Sequence, residues 1–317
     1  MEATRADRFK SALDSFPDPA RDLLQYLPQQ AGRLSSKTWR MLMDLLHVSM
    51  PELMVRLLPL SKIFSTPAIS HFHVGAVALA GEQSVDDEMN LYMGANMEFK
   101  HLALNMSIHA EQAVVMNAWH QGANHVKSIA TSELPCGHCR QFLNELSGSS
   151  DLMVIKPLGE ENNYRSSRLC EIFPEAFSPS DLGNKKGFMT SPRIISKLEL
   201  ACPAEDPVVQ TALLAAESSY APYTGNVAGC AIQTTEGQIV NGSYVESVAY
   251  NPSIPPLHSA ISRLNMMTIQ ETHAIHRIVL VENPTRVRQR DLVEMLMRSW
   301  APHLELEYYI AQEEKSS

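Results

Sequence analysis

Basic tracts, paired cysteines and long apolar runs are all scarce in this chain, and each scarcity removes a class of function. Lys and Arg number 26 against 35 Asp and Glu, a formal net charge of −9, and no Lys/Arg-rich tract occurs. Nucleic acid is therefore not an expected partner. The five cysteines (136, 139, 170, 202 and 230) are odd in number and two lie close together, which argues against a disulfide framework and fits a reducing compartment. No uninterrupted apolar run reaches the ~18 residues of a membrane span, and the first fifteen residues carry charges of both signs with no apolar core. Neither a membrane partner nor a signal sequence is expected, and the expected location is the cytoplasm. A length of 317 residues corresponds to about two domains of roughly 100–200 residues each.

What the chain does contain is His109-Ala110-Glu111 followed by Pro135-Cys136-Gly137-His138-Cys139. H-x-E…P-C-x-x-C is an established signature of zinc-dependent nucleobase deaminases. Two Cys thiolates and one His nitrogen give Zn²⁺ three protein ligands and leave a fourth position open, as in catalytic rather than structural sites. An ion held this way lowers the pKa of its water from about 15.7 toward about 7. Glu111, two residues after His109, is too close to serve as a fourth ligand but is placed to take the water's proton and pass it to a substrate. His138 is read as a supporting or surface residue, because as a ligand it would close the open position. Alone, C-x-x-C could be a redox pair or half a zinc knuckle, and H-x-E occurs by chance. The joint pattern, in order and with a Pro before the first Cys, carries the zinc-hydrolytic reading.

Local signals place both halves of the motif. Residues 109–119 read as a helix opened by His109 and stopped near Gly122, and residues 136–146 as a helix behind Pro135 whose two Cys share one side of the first turn. A strand is predicted over 126–131 and another over 72–79, after a helix beginning near 51. Three regions follow: an all-helical arm over 1–50 without a chemical motif, a catalytic unit over 51–183, and a second α/β unit over 184–317, entered through the polar stretch Gly183–Gly187, which reads as a linker. The second unit repeats the first. Gly94-Ala95-Asn96-Met97-Glu98 is echoed by Gly242-Ser243-Tyr244-Val245-Glu246, and His109-Ala110-Glu111 is matched to His258-Ser259-Ala260. The first copy carries the longer hairpin, around 82–90. With Ala260 in place of Glu111 and no Cys after Cys230, the second copy is expected to be chemically silent and His258 a packed or hydrogen-bonded remnant, or a contact at a subunit interface, rather than a ligand.

With F-H-V-G-A at 72–76, G-A-N-M-E-F at 94–99, H-A-E-Q-A at 109–113, P-C-G-H-C-R-Q-F-L-N-E-L at 135–146, F-P-E-A-F-S-P-S-D-L at 173–182 and N-P-S-I-P-P-L at 251–257, the chain resembles the two-domain homodimeric bacterial cytidine deaminase family over nearly its whole length. The resemblance implies an α/β fold, a three-layer αβα sandwich with a mixed sheet, used twice behind an N-terminal helical arm. It implies a homodimer with one Zn²⁺ per chain held by His109, Cys136 and Cys139. The implied reaction is hydrolysis of cytidine and deoxycytidine to uridine and deoxyuridine with release of ammonia, by attack of zinc-bound hydroxide on C4 with Glu111 as proton shuttle. Phe72 would lie against the nucleoside, Asn96 and Glu98 would bind the ribose, Phe177 would enclose the pyrimidine, and Ala110 and Leu134 would touch the base. Asn96 and Glu98 share one face of an extended segment. Ser132-Glu133-Leu134 departs from the family, where a Tyr and a Thr often hold the last two positions; the change is tolerated if only the Leu134 backbone contacts the base. A nucleotide or free-base deaminase, and a zinc-stabilised oligomeric scaffold, remain as alternatives. Residues 251–257, stiffened by three prolines, are expected at a subunit interface, closing a partner's site.

Overall fold

The apolar stretch after Val74 is a strand buried on both faces, and the first unit is layered around it. The computed structural model describes residues 4–82, 88–159, 163–190, 197–267 and 274–313; the expected long hairpin of the first unit falls partly on 83–87, outside the described residues. The arm forms α1 (Arg5–Leu13), α2 (Asp18–Leu24), a two-residue strand β1 (Arg33–Leu34) and α3 (Ser36–Leu46), and α4 (Met50–Lys62) follows. Then come β2 (Gly75–Gly81), β3 (Asn90–Ala95), α5 (Ala110–His120), β4 (His125–Thr131), α6 (Gly137–Leu143), β5 (Met153–Pro157), β6 (Tyr164–Arg168) and α7 (Leu169–Ile172). Val77 and Leu79 pack with the arm and α4, whereas Ala76, Ala78 and Ala80 pack with α5 and α6. Period-two alternation with helices on both faces makes the three layers.

The arm is not wholly helical. β1 pairs antiparallel with β3, Arg33 opposite Tyr92, and closes one edge of a sheet ordered β1-β3-β2-β4-β5-β6. Two residues are too few to leave a periodic signal in the sequence. The predicted strand over 72–79 also starts later, at Gly75, because the Asn96 amide accepts from Val74 N–H at 2.8 Å and donates to the Phe72 carbonyl at 2.9 Å, taking groups a ladder would use.

The second unit has the same plan: β7 (Leu198–Leu200), α8 (Pro207–Glu217), β8 (Ala228–Thr234), β9 (Ile239–Ser243), α9 (Pro256–Asn265), β10 (Ile275–Glu282), α10 (Arg290–Trp300) and β11 (Leu306–Glu313). Four strands of its order β7-β11-β10-β8-β9 repeat the first sheet, β9-β8-β10-β11 matching β3-β2-β4-β5; β1 has no counterpart, and β7 fills the edge place of β6 although it comes before α8 in the chain. In both sheets the parallel pair (β4 with β5, β10 with β11) is the exception among antiparallel neighbours. The sheets are mixed and the sandwich is duplicated. The units interlock: Val245 and Ile254 pack in the core beneath α5, while Met97, Met106, Ile108 and Ala113 pack in the core beneath α9. Glu145, fully buried, accepts from the Tyr220 hydroxyl at 2.7 Å, the Tyr223 hydroxyl at 2.5 Å and the Val248 N–H at 2.8 Å across the same boundary. The stretch predicted as a linker ends docked: Phe188 exchanges 2.7 Å backbone hydrogen bonds with Glu145 and Ser147, and its ring meets Trp119 edge-on.

Close helix-to-sheet contact depends on two equivalent glycines. A Cβ at Gly94 would lie 2.2 Å from Val114 N, and one at Gly242 would lie 2.1 Å from Ala260 N. Both obstacles are backbone and cannot swing aside. Gly94→Ala is therefore expected to destabilise the fold by about 1–3 kcal/mol, the usual cost of overpacking; an unchanged denaturation midpoint would show that α5 can retreat freely.

Candidate active site

Two helix starts bring the first site together. Ile108 exchanges both backbone hydrogen bonds with Met97 at 2.9 Å, and the chain turns into α5 with His109 as its extended N-cap residue. Gln112 accepts from the His109 N–H at 3.1 Å, one arm of a capping box. α6 starts the same way, with Cys136 as N-cap, so Cys139 lies in its first turn. Pro135 stands one residue before the cap rather than at the first helical position. Arg140 fixes that approach, donating to the Pro135 carbonyl at 2.9 Å and the Ile172 carbonyl at 2.7 Å.

The three expected ligand atoms meet. Cys136 Sγ lies 3.6 Å from Cys139 Sγ and 3.6 Å from His109 Nδ1, and Cys139 Sγ lies 3.2 Å from that nitrogen. An ion at about 2.3 Å from each sulfur and about 2.0 Å from nitrogen, at tetrahedral angles, requires edges of about 3.8 Å and about 3.5 Å. The triangle therefore fits Zn²⁺, and among the described residues no second His/Cys/Asp/Glu group comes together in this way. Hydrogen bonds with Cys139 and His109 hold the Cys136 thiol down to about 3, so it is a thiolate. The hydrogen bond to Cys136, with burial, keeps the Cys139 proton on its sulfur. The hydrogen bond to Cys136 also raises His109. Protons thus hold together a donor set that a dication would bind directly.

Glu111 is 4% exposed. Burial pushes its carboxyl up, opposed by hydrogen bonding that includes the Cys139 thiol. His138 is tilted against the His109 ring at 5.1 Å and lies outside the ligand triangle. Ala110 is buried at the first helical position, while Phe72 (56% exposed), Leu134 (50%) and Phe177 (46%) present their side chains to solvent. Phe177 is held by its carbonyl, which accepts from Gln141 at 2.7 Å and Asn144 at 3.1 Å.

Asn96 and Glu98 both fasten the loop that carries Phe72. Besides its bonds to Phe72 and Val74, the Asn96 side chain accepts from the Ser65 hydroxyl. Glu98 accepts from the Ile69 and Ser70 N–H groups at 2.8 Å each, and from the Ser70 hydroxyl at 2.5 Å. Glu246 repeats this cradle with the Tyr223 and Thr224 N–H groups and the Thr224 hydroxyl. By donor and acceptor count each active-unit residue keeps one place free, an amide hydrogen on Asn96 and a lone pair on Glu98.

Comparison with known proteins decides the family. A family model described as the cytidine and deoxycytidylate deaminase zinc-binding region matches residues 51–155, and a second with the same description matches residues 169–294. The cytidine deaminase of Aliivibrio fischeri is 36% identical over 306 residues, 95% of this chain and 97% of its own. The chain belongs to the cytidine deaminase family. The Histophilus somni cytidine deaminase is 37% identical over 92% of each chain, and that of Photorhabdus laumondii 42% identical over 73% of each. The crystal structure of the cytidine deaminase of Mycobacterium tuberculosis, 31% identical, matches 37% of this chain and 89% of its own with a TM-score of 0.30.

The second unit departs from the first site further than residue matching implies. The bridge Val245–Ile254 repeats Met97–Ile108, and α9 begins at Pro256 where α5 begins at Ala110. Pro255 therefore occupies the place of His109 and Leu257 that of Glu111. The matching of His258 to His109 is one helical turn out, because residues three apart share a helix face and the prolines fix the start earlier. His258 stands in the place of Gln112. At α10 the N-cap is Gln289, where α6 has Cys136. The segment 251–257 makes its buried contacts within the chain, with Ile254 in the core beneath α5 and the Pro252 carbonyl accepting from Gln112. Gln112 was the residue overlooked in H-A-E-Q; its position three residues after a helix cap was the available signal.

Proposed function

We propose that this chain hydrolyses cytidine and deoxycytidine to uridine and deoxyuridine, releasing ammonia, at the site in its first unit. The observation that carries the reading is the His109–Cys136–Cys139 triangle with the buried Glu111 carboxyl beside it. Zn²⁺ bound by those three residues supplies the acidity that makes water a nucleophile near neutral pH. Glu111 takes the water's proton, holds it in a site dry enough to favour the neutral acid, delivers it to N3 as C4 becomes tetrahedral, and then moves a proton to the departing amino group. Asn96 and Glu98 use their free places to bind ribose hydroxyls, Phe72 and Phe177 flank the nucleoside, and Ala110 and the Leu134 backbone meet the base. In this reading residues 1–50 are a supporting arm, 51–183 the catalytic unit and 184–317 a non-catalytic copy.

The exposed aromatic and aliphatic side chains at this rim need cover, which a second copy of the chain supplies in a homodimer. Five free cysteines fit the cytoplasm. Among the described residues no helix is long and apolar enough to cross a membrane.

Metal content measured with activity tests the proposal. One zinc per chain is expected, with loss of the cytosine absorbance band for cytidine and deoxycytidine. Two tightly held zincs would overturn the silent second unit, turnover of cytidine monophosphate or cytosine alone would move the substrate, and no turnover of any cytosine compound would leave a scaffold.

A further inference from the structure

The boundary between the units carries a pair of hydrogen bonds related by the same duplication that relates the folds. Gln112 is 4% exposed, and its amide donates to the Pro252 carbonyl at 3.1 Å. His258, also 4% exposed, has Nε2 at 2.9 Å from the Met106 carbonyl, which can only accept, so Nε2 carries the hydrogen. Gln112 and His258 occupy equivalent places at the starts of α5 and α9. Met106 and Pro252 occupy equivalent places in the loops leading into those helices, each two residues before the bridging isoleucine, Ile108 or Ile254. Each unit therefore reaches across and holds the approach to the other's helix.

We propose that Gln112 and His258 are positioning residues for the metal site, a reciprocal latch by which the silent unit fixes the approach to His109 and Glu111. Gln112 works on both sides, accepting from the His109 N–H while donating to Pro252. His258 clamps Met106, three residues before the ligand, and the Phe99 ring packs edge-on against it at 5.7 Å. One asymmetry supports the equivalence. His258 Nδ1 is buried without a hydrogen-bond partner, and the residue equivalent to His109 is Pro255, which has no N–H to give it. Burial holds this imidazole down to about 4, so it stays neutral and keeps its single donor on Met106. The latch gives the duplicated half a task that requires neither a metal nor a substrate of its own.

The test compares full-length His258→Leu and His258→Gln by two readouts: amide exchange over residues 103–113, and zinc affinity by chelator competition. The zinc arm rests on the functional reading above; the exchange arm does not. For His258→Leu, exchange is expected to rise at least about tenfold and zinc affinity to fall about 10- to 100-fold, the range for losing a partner behind a ligand. Glutamine, which restores a donor and copies the equivalent residue, is expected to stay within about threefold of the native chain. Should His258→Leu fail to fold, Gln112→Glu decides, since a carboxylate still accepts from His109 N–H but cannot donate to Pro252. Exchange and zinc affinity both within about twofold of native in a folded His258→Leu or Gln112→Glu chain would overturn the latch. A native chain that binds no zinc would refute the functional reading and leave exchange to judge the latch.

Discussion

Glu111→Gln is expected to retain its zinc and to lose at least about 100-fold in single-turnover rate, the lower end for removal of a general acid–base group. Glutamine keeps the size of the buried side chain, so the helix start and ligand triangle have little reason to move. What it cannot do is carry a proton. The carboxyl is buried, which raises its affinity for a proton, while hydrogen bonds that include the Cys139 thiol pull the other way in the metal-free chain, and a cation bound beside it would do the same. A group balanced between these pressures can take a proton in one step and release it in another. Nucleoside affinity should change much less than the rate, because the ribose and base contacts assigned here lie on other residues. Near-native turnover would remove the proton-shuttle role, whereas loss of zinc would mean that Glu111 supports the ligands rather than the chemistry.

The grouping of His109, Cys136 and Cys139 was legible in the sequence because both parts of it are local. His109 and Glu111 lie on one helix start, Cys136 and Cys139 on another, and each start has its own punctuation in residue type. The sandwich was legible for a similar reason: strands with apolar residues on both faces, spaced between helical stretches, require covering layers. Features that depend on one segment reaching another were not legible. Asn96 stops the β2 ladder short of Phe72 through bonds to its backbone, and no periodicity records that. The edge strand β1 is too short to show a pattern. Phe188 makes a docked segment of an expected linker through backbone contacts with Glu145 and Ser147.

The register of the second unit failed for a more instructive reason. Matching histidine to histidine is a statement about chemistry, but the duplication preserved backbone geometry: glycines under the helices, bridges before them and the order of strands. Once Pro255 and Pro256 set the start of α9, the histidine three residues beyond His109's place fell on the latch position. A unit can thus lose every ligand and keep its fold, since the contacts that make the sandwich are apolar burial and backbone pairing, neither of which uses a thiolate.

That separation of site from fold sets the expectation for the ligands themselves. Cys136→Ala should lose zinc and lower activity by at least about 1,000-fold, taking several kcal/mol for the metal's stabilisation of developing charge at about 1.4 kcal/mol per factor of ten. The native fold should survive, because Cys136 is exposed at a helix cap and its removal empties no core space. Cys139→Ala should lose zinc equally but also cost stability, because Cys139 is fully buried in the first turn of α6 and alanine leaves a gap there. Thermal unfolding with and without added zinc separates the two effects. The native chain should gain about 2.7 kcal/mol when free zinc is a hundredfold above its dissociation constant, and neither variant should gain any. Cys139→Ala should start from a lower midpoint than Cys136→Ala in the absence of metal. Retention of one zinc per chain by Cys136→Ala would show that His109 and Cys139 hold the ion with some other partner, and the assigned triangle would have to be redrawn.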